Sequence, residues 1–267
     1  WEKAEGMPRP LGVTWLEQEQ AYNFAIYAGN AAKVTLLLYD SNELQVPLYS
    51  LTLDPLTNKT GPIWHCRVPI AVAGDAEYYG YHVDGPVDGV AFPWHAFDPE
   101  KVLLDPYSRS VFLPASFDRE AARRPGPNAG CAPLGRLDVC RCPFNWGDEQ
   151  RIRHGSDLVI YEMHVRGFTQ HPSSGVAPGN RGTFAALVEK IPYLLDLGIT
   201  AVELMPVFQF DPDDSNYWGY MPLNFFSPHH AYSSHQSSCA QHSQFREMVR
   251  ELHAGRIEVI LDVVYNH

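Results

Sequence analysis

Residues 257–267, IEVILDVVYNH, decide the fold of this chain. The first part is rich in Val, Ile and Leu and follows a helical pattern that ends at Gly255, which predicts a strand buried on both faces. Asp262, Asn266 and His267 then gather at the carboxyl end of that strand. Barrels of alternating strands and helices keep their chemistry at this end of their strands, so these three residues are candidate site residues.

Two similar units precede this strand. Residues 158–165, LVIYEMHV, and 199–205, ITAVELM, are mostly apolar and predict strands, each followed by apolar residues at helical spacing. Pro192 is expected to break the first helix and Gly198 to end it, and Ser243 to cap the second. Because strands alternate with helices, we expect a parallel sheet with right-handed crossovers. A complete barrel of this kind takes roughly 250 residues, and three strands cannot close it. We therefore predict an incomplete (β/α)8 TIM barrel that contains the first three β/α units only. The remaining units are expected to lie beyond this chain.

The N-terminal part is predicted to be an all-β sandwich. Apolar residues there alternate with a period of two, and turn-forming residues separate the runs. The alternating positions are Tyr22, Phe24, Ile26, Val34, Leu36 and Leu38. We therefore expect a β-sandwich over residues 1–115, a linker over 116–156 whose Pro and Gly disfavour regular structure, and a truncated barrel domain over 157–267.

Composition narrows the function classes. The net charge of −11 argues against nucleic acid and against an anionic membrane surface as partners. The sequence has no run of about 18 apolar residues, which a membrane-spanning helix would need. The five cysteines, Cys66, Cys131, Cys140, Cys142 and Cys239, do not form a recognisable disulfide framework. This favours a reducing compartment, cytoplasm or plastid, over secretion.

The connection between the second strand and the next helix, residues 206–242, is unusually long and rich in aromatic residues. It would lie above the carboxyl ends of the strands. Aromatic rings there could form a sugar cleft, although about half are expected simply to pack the connection onto the barrel. The rings belong to Phe208, Phe210, Tyr217, Trp218, Tyr220, Phe225, Phe226 and Tyr232.

Several motifs, taken in order, resemble the α-amylase family of glycoside hydrolases. Residues 198–206, GITAVELMP, resemble the second-strand motif of that family. Residues 216–222, NYWGYMP, resemble a segment of its substrate loop, and residues 262–267, DVVYNH, resemble its first diagnostic motif. The N-terminal part resembles the carbohydrate-binding sandwich that precedes the barrel in branching and debranching enzymes, which implies a carbohydrate-binding-like domain over residues 1–115. Further stretches look most like isoamylase-type debranching enzymes of glycogen and starch. They are residues 54–61, DPLTNKTG, 104–107, LDPY, 161–169, YEMHVRGFT, and 205–210, MPVFQF.

The resemblance implies hydrolysis of α-1,6-glucosidic branch linkages in glycogen- or amylopectin-type glucans by a retaining mechanism. Such a mechanism uses a carboxylate nucleophile and a carboxylic acid about 5–5.5 Å apart. In the family these groups follow the fourth and fifth strands, and a third carboxylate follows the seventh. None of those strands is expected within residues 1–267, so no residue of this chain is assigned as nucleophile or acid.

The resemblance also implies which residues bind substrate. Tyr220 matches the tyrosine that stacks under the cleaved sugar, and His267 the histidine that hydrogen-bonds the same sugar. Asp262 matches a carboxylate that orders neighbouring groups. Trp218 shares the segment of Tyr220 and is also expected to contact substrate. Asn266 matches a position that braces the loop or ligates calcium in many amylases, but calcium needs 6–8 oxygens and the chain offers too few, so we predict no metal and no cofactor.

Two polar residues of the first strand, Glu162 and His164, are expected to be structural. Other interpretations stay open on the sequence alone. A glucan branching enzyme or a trehalohydrolase would share the sandwich and the barrel. A non-catalytic glucan-binding or regulatory homologue would bind glycogen without debranching it.

Overall fold

The computed structural model of the protein describes residues 5–86, 96–137, 144–147, 152–212, 216–235 and 237–266. The chain divides into two compact units, Trp1–Arg141 and Cys142–His267. Within the described ranges, no helix combines the length and the apolar character needed to cross a lipid bilayer.

The described residues of the first unit form two antiparallel sheets and two short helices. One sheet consists of β1 (Gly12–Leu16), β2 (Ala21–Tyr27), β5 (Lys59–Thr60) and β6 (Ile63–Pro69), in the order β1-β2-β6-β5. The other consists of β3 (Lys33–Tyr39), β4 (Tyr49–Thr52), β7 (Tyr78–Asp84), β8 (Val111–Phe112) and β9 (Leu134–Arg136), in the order β4-β3-β7-β9-β8. The helices are α1 (Ile70–Ala73) and α2 (Arg119–Arg123).

Side chains from both sheets form one shared core, which confirms the predicted sandwich. All six alternating residues of β2 and β3 are buried in it, together with Trp64 and Tyr79. The strand β3 departs from the half-buried pattern, because Leu37 and Tyr39 on its other face are also buried, in a second cluster with Leu134. Alternation in the sequence misses this second layer because, after Lys33, all residues of the strand except Thr35 are apolar or aromatic.

Part of the segment predicted as an irregular linker carries regular structure. Asp118 caps α2 by accepting hydrogen bonds from the backbone N–H groups of Glu120 and Ala121. The buried Lys101 ammonium donates to the carbonyl oxygens of Ala121 and Arg124 at the end of the same helix, at 2.6 and 2.7 Å. These side-chain contacts satisfy the ends of a helix too short to be stable alone, and Pro- and Gly-rich composition does not reveal them.

A buried carboxyl group lies beneath the second sheet. Asp105 is 0% exposed, accepts a hydrogen bond from the Tyr79 hydroxyl at 2.9 Å and another from the Tyr107 backbone N–H at 2.8 Å. Burial raises the pKa of Asp105 to about 6, because the ionised form loses more hydration than these hydrogen bonds return.

This carboxyl group predicts a specific pH dependence of stability. The folded-state pKa lies above the unfolded value of 3.8, so the folded state binds more protons between about pH 4 and pH 6, and the contribution of Asp105 to stability falls as pH rises through that window. Asp105→Asn, which cannot ionise, should therefore gain stability relative to the wild type between about pH 4 and pH 7, by about 3 kcal/mol. Urea unfolding of both proteins at each pH measures this gap. A stability difference that does not change with pH would contradict it.

The second unit is built on a parallel sheet. Its strands are β10 (Ile160–Met163), β11 (Ala201–Leu204) and β14 (Glu258–Leu261), in the order β10-β11-β14. An antiparallel hairpin of β12 (Phe208–Phe210) and β13 (Pro222–Pro228) lies within the long connection. The helices are α3 (Val165–Thr169), α4 (Phe184–Glu189), α5 (Ile191–Asp196) and α6 (Ser238–Ala254).

Two of the three predicted helix boundaries are confirmed. Pro192 occupies the first turn of α5, where the chain restarts after α4, and Gly198 has φ +79° just after α5. The prediction for Ser243 is wrong, because α6 begins five residues earlier and Ser237 caps it through a hydrogen bond from the Ala240 N–H. Ser243 lies inside the helix. Both serines are possible caps in the sequence, and the apolar face that marks α6 starts only at Phe245.

The two faces of the parallel sheet differ. Met163, Val202 and Leu204 are buried in a core with the helices. The final strand was predicted to be buried on both faces, and this is wrong for the described residues, since Leu261 and Val263 are each 37% exposed. The helix α6 packs against β14, but the apolar composition of a strand does not specify what covers each of its faces.

The cysteines also depart from expectation. Cys239 is disulfide-bonded, whereas Cys66 and Cys131 are free. Sequence spacing does not report distances after folding. The spacing of the cysteines therefore did not reveal the pairing of Cys239.

Candidate functional site

Two of the predicted substrate residues meet at the carboxyl end of the parallel sheet. The Tyr220 hydroxyl donates a hydrogen bond to Asp262 Oδ2. The backbone N–H of Asp262 in turn donates to the carbonyl oxygen of Leu204 at 2.9 Å, which continues the pairing of β14 with β11. The backbone of Asp262 is therefore held by strand pairing, and its side chain holds the Tyr220 hydroxyl.

The surroundings of Tyr220 are acidic. Its hydrogen bond to Asp262, then burial, then the negative charges of Asp262, Glu162 and Glu203 raise the pKa of Tyr220 to about 12. The phenol is therefore a neutral donor at physiological pH, and its ring lies in a negative field. Such a field favours a ligand that carries or develops positive charge.

Sequence reasoning missed Glu203 and treated Glu162 as structural. Glu162 pairs directly with Glu203 in the register of β10 and β11, and Glu203 pairs with Ile260 of β14. Asp262 is two residues beyond Ile260 and so shares the same face of the sheet. Because side chains alternate along a strand, the sequence could place Glu162, Glu203 and Asp262 on one face of the sheet only if the register between the strands were known.

A rigid turn presents Tyr220. The side chain of Asn216 accepts a hydrogen bond from the Met221 N–H and donates to the Met221 carbonyl oxygen, both at 3.2 Å. Within the turn, the Gly219 N–H donates to the Asn216 carbonyl oxygen, and Gly219 has φ +84°, a conformation that favours glycine. A Cβ on Gly219 would also lie 2.9 Å from the buried ring of Phe210.

Trp218 lies on the outside of this turn. It is 62% exposed, and its ring meets that of Tyr220 edge to face with centroids 6.4 Å apart. Tyr217, the preceding residue, is 50% exposed. Exposed aromatic rings beside a polar pair suit a sugar, which has apolar faces and hydroxyl edges.

The remaining two predicted residues are not placed in the site. Asn266 is exposed, and in the described part of the chain it is not hydrogen-bonded to Tyr220 or Asp262. His267 lies outside the described residues, so its predicted pairing with Tyr220 stays a prediction.

The aromatic residues of the long connection divide as expected between packing and exposure. Phe210 and Tyr232 are 5% and 1% exposed and belong to the core of the unit. Phe226 is 52% exposed, like the residues of the Trp218 turn. Across the residues that the structure describes, no group of three or more His, Cys, Asp or Glu could hold a metal ion.

A concavity of about 430 Å³ lies in the same unit, against α6. Its lining is mostly apolar and includes Trp146, Phe226, Phe245 and Leu261. Leu261 is one residue from Asp262 and therefore points to the opposite face of the sheet. This concavity is separate from the Tyr220 site and lies in the layer where helices pack.

Two family models match this chain. Residues 114–267 match the family model described as alpha amylase, catalytic domain. Residues 10–108 match carbohydrate-binding module 48, the isoamylase N-terminal domain.

Similar proteins include Isoamylase 3, chloroplastic, of Oryza sativa subsp. japonica, 39% identical over 99% of this chain and 35% of that protein. A glycogen operon protein GlgX homolog of Mycobacterium bovis is 39% identical over 98% of this chain and 37% of its own length. A crystal structure of pullulanase from Paenibacillus barengoltzii, in complex with maltohexaose and alpha-cyclodextrin, has a TM-score of 0.70 and 24% identity, covering 100% of this chain and 39% of the pullulanase.

The chain thus spans about a third of the length of the curated relatives it matches. The similarity to the pullulanase structure supports the fold of this chain. The family models and the similarity to the isoamylase show its family. The chain belongs to the α-amylase family of glycoside hydrolases, with an isoamylase-type carbohydrate-binding module ahead of its catalytic-domain sequence.

Proposed function

We propose that the protein hydrolyses α-1,6-glucosidic branch linkages of glycogen- or amylopectin-type glucans, and that this chain supplies the sugar-binding side of the cleft. The observation that carries the proposal is the Tyr220–Asp262 hydrogen bond at the strand ends, with the exposed Trp218 ring beside it. The similarity to a rice isoamylase supports the choice of the α-1,6 linkage over other glucosidic bonds.

The proposed role of Tyr220 is to bind the sugar that is cleaved. Glycoside hydrolysis passes through an oxocarbenium-like transition state, which is positively charged. An aromatic face stabilises a cation placed over it, and the carboxylates of Glu162, Glu203 and Asp262 add negative potential at the same place. The hydrogen bond to Asp262 holds the ring, so the ring need not be reordered when substrate binds.

The catalytic carboxylates are proposed to belong to later strands of the same barrel. In this proposal β10, β11 and β14 are the first three of eight barrel strands, and the nucleophile and the acid have no counterpart in residues 1–267. The domain boundaries proposed with it are a sandwich over 1–115, a linker over 116–156 and the barrel from 157. His267 and Asn266 are proposed to contact the same sugar and to brace its loop.

Partners and location accord with the same proposal. The net charge of −11 disfavours nucleic acid or an anionic membrane as a partner. A branched glucan is neutral and is therefore compatible with this charge. We propose a plastid or the cytoplasm as the location of this protein, and the name of the rice relative, which places that relative in the chloroplast, supports the plastid.

We expect the 267-residue chain to bind branched maltooligosaccharides without hydrolysing them, because it contains stacking residues and no assigned nucleophile or acid. Calorimetric titration measures binding, and the release of reducing ends from glycogen measures hydrolysis. Heat-inactivated protein is the control. Hydrolysis above that control would overturn the assignment of the acids to later strands, and the absence of any binding would overturn the sugar-binding role of the site.

A further inference from the structure

We propose that His164 is a positioning residue for the turn that carries Trp218 and Tyr220. Its ring ties the first strand of the parallel sheet to this turn, 53 residues later in the chain. The inference deepens the proposed function and rests on it, because the turn is the surface on which the glucan is proposed to stack.

Hydrogen bonds fix both nitrogens of the His164 ring. Nδ1 accepts from the backbone N–H of Gly167 at 2.9 Å and so caps α3. Nε2 lies 2.8 Å from the carbonyl oxygen of Tyr217 and 3.1 Å from the Tyr232 hydroxyl. Because a carbonyl oxygen only accepts, Nε2 must carry the proton, and the neutral Nε2–H tautomer is the form that satisfies both contacts.

The ring of Tyr217 lies flat on that of His164. The two planes are 6° apart with centroids at 4.3 Å, so His164 holds both the backbone and the side chain of Tyr217. Gly167 permits this approach, since a Cβ there would lie only 3.0 Å from the Tyr217 hydroxyl. Tyr232, which is 1% exposed, also packs against the imidazole in an edge-to-face contact, with the ring centroids 5.7 Å apart.

The position of Tyr217 determines the position of the rest of the turn. The turn from Asn216 to Met221 is closed on itself by the Asn216 side chain, and Gly219 lies against Phe210. Such a turn moves as one body, so release of Tyr217 would displace Trp218 and the ring of Tyr220 together. A displacement of about 1 Å in a binding group is enough to cost substantial affinity or rate.

Protonation would work against this arrangement. Burial first, and then the nearby charge of Arg166, lower the pKa of His164, and the hydrogen bond to Tyr217 opposes them. Among the described residues, the titratable groups that contact the ring or interact with its charge are Tyr217, Tyr232, Arg166 and the buried His229, and none of these four is an anion. A doubly protonated ring would point an N–H at the Gly167 N–H, so the cap of α3 would be lost first.

Two variants separate positioning from a merely structural role. In His164→Asn the side-chain oxygen can occupy the place of Nδ1 and keep the cap, but nothing reaches Tyr217. In His164→Gln the amide N–H can occupy the place of Nε2 and reach the Tyr217 carbonyl, but the cap acceptor is lost. Asn is a strong N-cap residue, so a structural role predicts that His164→Asn is the better-tolerated change.

Hydrogen–deuterium exchange in the absence of sugar and calorimetric titration with a branched maltooligosaccharide test the proposal on the full 267-residue chain. We expect faster exchange at residues 216–221 and about tenfold weaker binding in His164→Asn, which corresponds to the loss of one well-placed contact. In His164→Gln we expect exchange close to that of the wild type and binding within about threefold of it. Urea unfolding of both variants reports the stability of each.

Unchanged exchange at residues 216–221 in His164→Asn would overturn the positioning role, whatever the sugar does. Equal losses of binding in both variants, in proportion to their losses of stability, would overturn it as well. Failure of the wild-type chain to bind the sugar is a separate result and would overturn the proposed function, because the exchange measurement uses no sugar.

Discussion

Replacing Tyr220 with alanine is expected to weaken binding of a branched maltooligosaccharide by about 10- to 100-fold. A phenyl-sized ring that covers an apolar face contributes roughly 1.5–3 kcal/mol of burial, and each 1.4 kcal/mol is about a factor of ten in affinity. The ring of Tyr220 is well placed for this, because its hydroxyl is anchored on Asp262 and its pKa of about 12 keeps it neutral.

The phenylalanine variant separates the ring from the hydroxyl. Tyr220→Phe keeps the stacking face but removes the donor to Asp262, which is partly solvent-exposed and can bind water instead. We therefore expect only a loss of about threefold to tenfold, below the full cost of a buried unpaired carboxylate. Calorimetric titration of both variants gives the comparison.

A matched control is available in the same unit. Tyr193 on α5 is 46% exposed, and its ring lies under the Lys190 ammonium and beside the ring of Phe168. Tyr193→Ala should leave the affinity unchanged. If Tyr220→Ala binds within about twofold of the wild type, or if Tyr193→Ala loses as much, the stacking role of Tyr220 is wrong.

Local patterns predicted the elements better than the contacts between them. Alternation located β2 and β3, and Pro192 and Gly198 located the ends of α5, because each signal acts within a few residues. The start of α6 was misplaced since two serines offer equivalent caps, and the hairpin of β12 and β13 was missed within a segment taken as one loop.

The candidate site required information that no local pattern holds. Tyr220 and Asp262 are 42 residues apart, and only the family resemblance suggested that they act together. The contributions of Glu162 and Glu203 depend on strand register, and the link from His164 to Tyr217 depends on how the long connection folds back. Sequence patterns supply residue types at strand ends, whereas tertiary structure decides which of them meet.

The sandwich holds a position where one added methyl group is expected to be costly. Gly135 of β9 pairs with Tyr79 of β7 and with Val111 of β8. A Cβ at Gly135 would lie 2.4 Å from Tyr79 Cε1 and 2.9 Å from Ser108 Oγ, and both of those side chains are fully buried. Glycine in a strand interior commonly marks such a close approach.

Several contacts with described residues hold Tyr79 in place. Its hydroxyl donates to the buried Asp105, and its ring packs edge to face on Phe24 at 5.3 Å and on Tyr81 at 6.0 Å. Gly135→Ala must therefore shift either the strand or the tyrosine, and a shifted tyrosine gives up its hydrogen bond. Overpacking costs about 1–3 kcal/mol and a lost buried hydrogen bond about as much again, so we expect the free energy of unfolding to fall by about 3 kcal/mol or more.

Urea unfolding with two controls tests this expectation. Gly179→Ala should change stability by less than about 0.5 kcal/mol, because no atom lies within 4 Å of a Cβ there and the position is not left-handed. Tyr79→Leu removes the opposing ring, so the cost of Gly135→Ala should shrink by at least half in that background, as expected for residues in direct contact. An equal cost of Gly135→Ala with and without the ring would show that Tyr79 is not the obstacle, and would place the strain in the strand itself.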